Sequence, residues 1–261
     1  MKQTVFQIKK NDSIVPHVYQ MELEGDTSAI TSPGQFVNIR LEDRYIRRPI
    51  SVCDRTESKV VLIYKVVGAG TLQLSEMQAG EKLDLLTGLG NGYDLTKSGD
   101  RPLLIGGGAG IPPLYWLCRE LKSQGKYVNV ILGFNTQEEV FFETEFRELG
   151  AGVIVTTADG SYGCKGFVTD GMRSLEQAPA ASSHASQEAT QNLPYSYFYA
   201  CGPMPMFRAV NEIAATSGQF SFEERMGCGF GVCMGCSCRT VTGYKRICKD
   251  GPVLEREEIL W

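Results

Sequence analysis

Pro102-Leu103-Leu104-Ile105-Gly106-Gly107-Gly108-Ala109-Gly110-Ile111-Pro112-Pro113 is the stretch on which the fold turns. Pro102 to Ile105 read as a short apolar strand, the glycines and Ala109 as a flexible turn, and Ile111-Pro112-Pro113 as the start of a helix continued by Leu114-Tyr115-Trp116-Leu117-Cys118. Proline in the first helical turn gives up no intrahelical hydrogen bond, so strand, turn and helix follow from the residues themselves. The pattern then repeats. Tyr127-Val128-Asn129-Val130-Ile131-Leu132-Gly133-Phe134 predicts a second strand, residues 141–149 a helix, and Val153-Ile154-Val155-Thr156-Thr157 a third strand. Such alternation implies a parallel sheet that holds a nucleotide at the carboxyl ends of its strands.

Further along, Tyr197-Phe198-Tyr199-Ala200-Cys201-Gly202-Pro203 predicts another strand ending in a tight turn, with a helix from Pro205 to Ala215. Asp159 to Gly163 and Gly166 to Asp170 read as a turn and a loop. The Ala-, Ser- and Gln-rich segment from Gln177 to Asn192 reads as a surface loop, in which His184 is solvated; the other histidine, His17, falls in a predicted strand.

Upstream, residues 1–98 carry short apolar runs separated by Gly, Pro, Asn and Asp, the signature of an antiparallel barrel or sandwich. Val37 to Leu41, Val60 to Val67 and Lys82 to Leu86 are the clearest strands, and helical spacing is confined to Leu72–Met77. Arg47-Arg48-Pro49-Ile50-Ser51 sets two guanidinium groups and a hydroxyl beside a strand whose backbone proline fixes, a cradle suited to ring edges and pyrophosphate. Gly68-Ala69-Gly70-Thr71 opens the short helix, whose first amides suit a phosphate. Gly88-Leu89-Gly90-Asn91-Gly92-Tyr93 makes a third glycine-rich turn.

Downstream, five of the nine cysteines fall between Cys228 and Cys248, in Glu223-Glu224-Arg225-Met226-Gly227-Cys228-Gly229-Phe230-Gly231-Val232-Cys233-Met234-Gly235-Cys236-Ser237-Cys238 and Cys248-Lys249-Asp250-Gly251-Pro252. Cys228, Cys233, Cys236 and Cys248 have the C-x4-C-x2-C…C spacing of a plant-type [2Fe-2S] cluster. Zinc is the competing reading, although its ligands come as two short pairs rather than three bunched cysteines and one apart. Cys238, two residues beyond Cys236, is an alternative ligand with a poorer spacing.

The net charge of -4 and the absence of long basic runs exclude the footprint of a nucleic-acid binder. The first ten residues alternate like a strand, without the apolar core of a signal peptide, and no 18-residue apolar run occurs. A cytoplasmic location is expected, where clustered thiols mean metal more often than disulfide. No Ser-His-Asp or paired-carboxylate pattern stands out, which points to chemistry carried by cofactors.

Arg-Pro-Ile-Ser, Gly-Ala-Gly-Thr, Gly-x-Gly-Asn-Gly and the G-G-G-x-G-I-x-P run, in that order, resemble the ferredoxin–NADP reductase superfamily. The resemblance implies FAD at Arg48, Pro49, Ile50 and Ser51, at Ile63, Tyr64 and Lys65, and at Gly70 and Thr71. It implies the nicotinamide cofactor at Gly106, Gly107, Gly108 and Gly110, with Cys201 and Gly202 by the nicotinamide. Residues 133–146 contain no Lys or Arg to receive a 2′-phosphate, which favours NAD over NADP. The fold implied is α+β and multidomain: an antiparallel β-barrel FAD domain (1–98), a Rossmann-like α/β NAD domain (99–219) and a small C-terminal [2Fe-2S] module (220–261).

With the cluster segment included, the order resembles the electron-transfer subunits of type B dihydroorotate dehydrogenases over almost the full length. That resemblance implies a heterotetramer of two such chains with two FMN-containing catalytic subunits, in the de novo pyrimidine pathway. The same motifs occur in small FAD/[2Fe-2S] subunits of ferredoxin:NADP or sulfhydrogenase type. A redox sensor and a zinc-stabilised binding module are the readings from other classes. Plant-type reductases end in an aromatic residue over the flavin; this chain continues into the cysteine module, so Trp261 does not inherit that role by position.

Overall fold

The computed structural model describes residues 1–177 and 193–261. The Gln177–Asn192 loop and His184 lie outside the described residues, apart from Gln177 itself. The chain begins with strands β1 (Lys2–Val15), β2 (Val18–Glu24), β3 (Phe36–Ile39), β4 (Arg48–Arg55) and β5 (Lys59–Lys65), then helix α1 (Ala69–Glu76) and strand β6 (Lys82–Leu89). These strands close into a barrel in the order β1-β2-β5-β4-β3-β6, every pair antiparallel. Strand side chains alternate between faces. Phe6 and Ile8, Met21 and Leu23, Val37 and Ile39, Val60 and Leu62, and Leu83 and Leu85 therefore fill the interior from five strands. His17 is not in a strand: it sits at φ 63 in the turn between β1 and β2.

The middle of the chain supplies β7 (Pro102–Gly107), α2 (Pro112–Ser123), β8 (Asn129–Phe134), α3 (Glu143–Glu148), β9 (Gly152–Thr157), β10 (Cys164–Lys165), α4 (Val168–Gln177), β11 (Tyr197–Cys201), α5 (Met204–Ile213) and β12 (Gly218–Ser221). Past the bunched cysteines come β13 (Ser237–Thr240) and β14 (Gly243–Arg246), paired as a hairpin, then α6 (Ile247–Asp250) and β15 (Val253–Glu255). The large sheet runs β10-β9-β8-β7-β11-β12-β15, parallel until β15 adds antiparallel to β12. The chain thus returns to the sheet after the cysteine loop.

Both faces of this sheet are covered, which is why its strands read as unbroken apolar runs. Leu104, Val130, Leu132, Tyr197 and Tyr199 pack on one face with Leu114, Leu117 and Leu121 of α2; Leu103, Ile105, Ile131, Phe198 and Ala200 pack on the other with Met172 of α4 and Phe207 of α5. Helix α2 also meets the barrel. Its Trp116 enters the barrel core, with the Arg55 guanidinium 5.6 Å from the ring centre and the indole N–H donating to Glu120 Oε1 at 2.8 Å. Burying so large an aromatic stabilises the junction by about 2–3 kcal/mol.

The segment from Gly166 to Asp170 is only partly the expected loop, because α4 begins at Val168. Asp170 Oδ2 accepts from the Phe167 amide at 2.8 Å and caps the helix from inside its first turn. No helix among the described residues is long and apolar enough to cross a membrane.

Candidate functional site

Gly229 and Gly231 take φ of +78° and +90°, a region that side chains resist, and so fold the loop around its thiols. The amides turn inward. Val232 and Cys233 donate to Cys228 Sγ at 3.3 and 3.4 Å, Cys228 and Gly235 to Cys233 Sγ at 3.4 and 3.5 Å, and Cys248 to Cys236 Sγ at 3.4 Å. Among the described residues no three His, Cys, Asp or Glu side chains gather at spacing for one metal ion. These amide-to-sulfur bonds tie the cysteines into two pairs, Cys228 with Cys233 and Cys236 with Cys248. A mononuclear zinc needs four converging ligands, whereas a two-iron cluster takes two thiolates at each iron. The donor set therefore fits the binuclear group.

Burial opposes ionisation of the Cys228 thiol, but the amides of Cys233, Phe230 and Val232 outweigh it and bring its pKa down to about 6. Cys248 goes the other way. Burial, then the neighbouring Cys236 sulfur, push it up, a cost that a bound cation offsets by holding the thiolates deprotonated. Arg246 ties the loop to α6, its Nη1 donating to the Gly231 carbonyl at 2.8 Å and its Nε to Asp250 at 2.9 Å. Cys238 stands on β13 outside both pairs, packed against the apolar core, and burial raises its thiol pKa.

On the barrel, Arg48, Pro49, Ile50 and Ser51 begin β4, opposite Ile39, Asn38, Val37 and Phe36 of β3. The Arg48 guanidinium lies against the start of α1, so close that a Cβ at Gly70 would stand 2.0 Å from Nε. Thr71 Oγ1 accepts from the Val67 and Gly68 amides at 2.9 and 3.3 Å, and no acidic residue occupies the first turn of α1. A half-buried cation above an acid-free helix start is a fit for a pyrophosphate. The second guanidinium is employed otherwise: Arg47 Nη1 donates to Asp84 Oδ1 at 2.9 Å and to the Asp84 and Asn38 carbonyls. Ile63, Tyr64 and Lys65 end β5. Tyr64 turns its ring into the barrel and donates to Asn11 Oδ1 at 2.8 Å; Lys65 Nζ reaches Glu139 Oε1 at 3.6 Å, in the turn after β8.

The glycine turn and the Cys-Gly-Pro turn meet at the carboxyl ends of neighbouring strands. Gly106 stands beside Cys201 in register, and a Cβ at Gly110 would lie 2.2 Å from the Cys201 carbonyl oxygen. Gly107 is approached by side chains instead, a Cβ there standing 2.7 Å from Met206 Sδ and 3.3 Å from Pro203 Cδ, with Gly202 alongside, while Gly108 closes the turn at φ +50°. Ser221 of β12 lies opposite Cys201, whose thiol burial pushes up to about 12.

Three residues here have roles that the motifs did not indicate. Asn38 on β3 donates from Nδ2 to the Cys228 carbonyl at 3.2 Å, joining barrel to cysteine loop. Asn91, in the third glycine turn, clamps the C-terminal stretch: its amide donates to the Gly251 carbonyl at 2.8 Å and its Nδ2 to that of Val253 at 2.7 Å. Ser221 is placed by sheet order alone. A polar residue inside the apolar run Phe36-Val37-Asn38-Ile39 was the one signal available in the sequence. Trp261 packs edge-on against Phe220, with ring centres 5.0 Å apart.

Two family models match the chain. Residues 223–260 match the iron-sulfur cluster binding domain of dihydroorotate dehydrogenase B, and residues 104–212 the oxidoreductase NAD-binding domain. A dihydroorotate dehydrogenase B (NAD(+)) electron transfer subunit from a Geobacillus species is 40% identical over 100% of this chain and 99% of its own length. The subunit of the same description from Fusobacterium nucleatum is 40% identical over 94% of each. Among solved structures, that of an NADH-dependent reduced ferredoxin-NADP oxidoreductase covers 99% of this chain and 90% of its own, at 29% identity and a TM-score of 0.84. A ferredoxin NADP+ reductase from Neisseria gonorrhoeae, with bound FAD and NADP, shares the fold at 18% identity, covering 81% of this chain and 90% of its own, with a TM-score of 0.67.

Proposed function

This chain belongs to the family of dihydroorotate dehydrogenase B (NAD(+)) electron transfer subunits, and on that premise we propose that it carries electrons between a catalytic partner subunit and NAD+. The partner would hold FMN and the orotate chemistry, two copies of each chain would form a heterotetramer, and the pathway served would be de novo pyrimidine synthesis. When bound, FAD exchanges electrons singly or in pairs, so it can join a one-electron [2Fe-2S] cluster to a two-electron nicotinamide. In this reading the chain divides into 1–98, 99–219 and 220–261.

The chain's own residues bind and orient these groups. Cys228, Cys233, Cys236 and Cys248 would hold the cluster, and the inward amides of Val232, Cys233 and Gly235 would stabilise charge on its sulfurs. Arg48, Pro49, Ile50, Ser51, the strand residues Ile63, Tyr64 and Lys65, and Gly70 and Thr71 would hold FAD. Gly106, Gly107, Gly108 and Gly110 would let the dinucleotide backbone approach α2, with Cys201 and Gly202 bordering the nicotinamide. NADH is favoured over NADPH, because residues 133–146 offer no Lys or Arg to a 2′-phosphate and Lys65, which reaches the turn after β8, is already paired with Glu139.

The observation that carries this reading is the attachment of the cysteine loop to the flavin barrel through Asn38 and Cys228, 3.2 Å apart. Exposed Phe230, Val232 and Met234 around the thiols leave the loop accessible to a partner. The test is the visible spectrum of anaerobically purified protein, with iron and sulfide content, before and after NADH. Flavin and cluster bands should both be present and both bleach; a colourless, iron-free chain would refute the reading. Co-purification with an FMN protein that oxidises dihydroorotate separates this function from the ferredoxin:NADP and sulfhydrogenase types.

A further inference from the structure

Asn38 is the single polar side chain of β3 and is 1% exposed. Its Nδ2 is committed to the Cys228 carbonyl, and the loop presses on it so closely that a Cβ at Gly229 would stand 2.2 Å from Nδ2. The orientation of the amide follows from that contact, since the reverse would set two oxygens face to face. Its Oδ1 is buried and has no hydrogen-bond partner among the described residues. Leaving such an acceptor unsatisfied costs about 1–3 kcal/mol. Buried polar atoms of this kind are retained where something supplies the missing donor.

Two bound groups adjoin this position, because Asn38 touches the cysteine loop and pairs across the sheet with Pro49 in the Arg48–Ser51 segment. The cluster presents only sulfide and thiolate sulfur, which accept hydrogen bonds. The oxidised isoalloxazine ring carries one N–H, at N3, which donates. Of these two groups, only the flavin offers Oδ1 a donor.

We propose that Asn38 is a positioning residue shared by the two redox groups: Nδ2 fixes the cluster loop at Cys228, and Oδ1 accepts a hydrogen bond from the ring N–H of the bound flavin. This rests on the flavin-and-cluster reading of the site.

The test uses the full-length chain loaded with FAD and iron, in wild-type form and as Asn38→Leu, in which a side chain of similar volume carries no polar atom. Loss of one hydrogen bond should weaken FAD binding about five- to tenfold in Asn38→Leu, read from flavin fluorescence. The N3–H resonance of 15N-labelled FAD should shift from its free position in the wild-type chain, a readout that needs no variant to fold, and should return toward that position in Asn38→Leu. Unchanged FAD affinity in Asn38→Leu, or a free-like N3–H resonance in the wild-type chain, would each overturn the proposal. A wild-type chain that binds no FAD would instead be a failure of the site reading beneath it.

Discussion

Individual residues at this site are held by contacts too close to be relieved. A methyl group at Gly110 meets the main-chain oxygen of Cys201 at 2.2 Å, and backbone cannot turn aside as a side chain can. Gly110→Ala should therefore lower stability by about 1–3 kcal/mol and sharply reduce bleaching by NADH, checked by thermal melting and stopped-flow absorbance. Cys233→Ser should abolish the cluster bands while the flavin band persists, because Arg48, Gly70 and Thr71 lie on separate elements; retention of cluster absorbance would count against this ligand assignment. At this scale the cysteine spacing was legible because thiolate ligation imposes short separations along the chain. Asn38 was not, since its meaning comes from a loop that follows it by 190 residues.

At the scale of elements, β15 explains how the cysteine loop is held at both ends. Glu255 on this strand accepts from Lys97, Gln219 and Tyr197, each at 2.7 Å. Burial raises its pKa, but these three donors outweigh burial and keep the carboxylate below its usual 4.5. A depressed folded-state pKa gives stability that is complete above the unfolded value and is lost as pH falls through the folded one. Glu255→Gln should thus melt lower than wild type by a constant margin above about pH 4.5, worth about 1 kcal/mol after solvent screening, and the margin should close in more acidic buffer. A gap that persists in strong acid would assign the effect to packing. The alternation of strand and helix from Pro102 onward was readable from apolar runs and prolines. The start of α4 at Val168 was hidden because its cap, Asp170, lies within the helix.

For the whole molecule, barrel and sheet each have their own core, while the cysteine loop has few regular backbone bonds between Phe222 and Ser237. Chelating the iron should therefore loosen residues 224–236 and leave FAD bound, so that hydrogen exchange rises in that loop and stays unchanged in the barrel strands. Global unfolding on iron removal would show that the cluster holds the domains together. By itself the sequence determined the kinds of element, the glycine turns and the thiol spacing, because alternation, backbone freedom and ligand reach act over a few neighbouring residues. Only the tertiary structure decided that Arg48 faces Gly70 while Arg47 serves Asp84, that the third glycine turn clamps the C-terminal stretch, and that Asn38 bridges barrel and loop. Those outcomes depend on which residues distant in the chain are brought within hydrogen-bonding range, and local spacing carries no record of that.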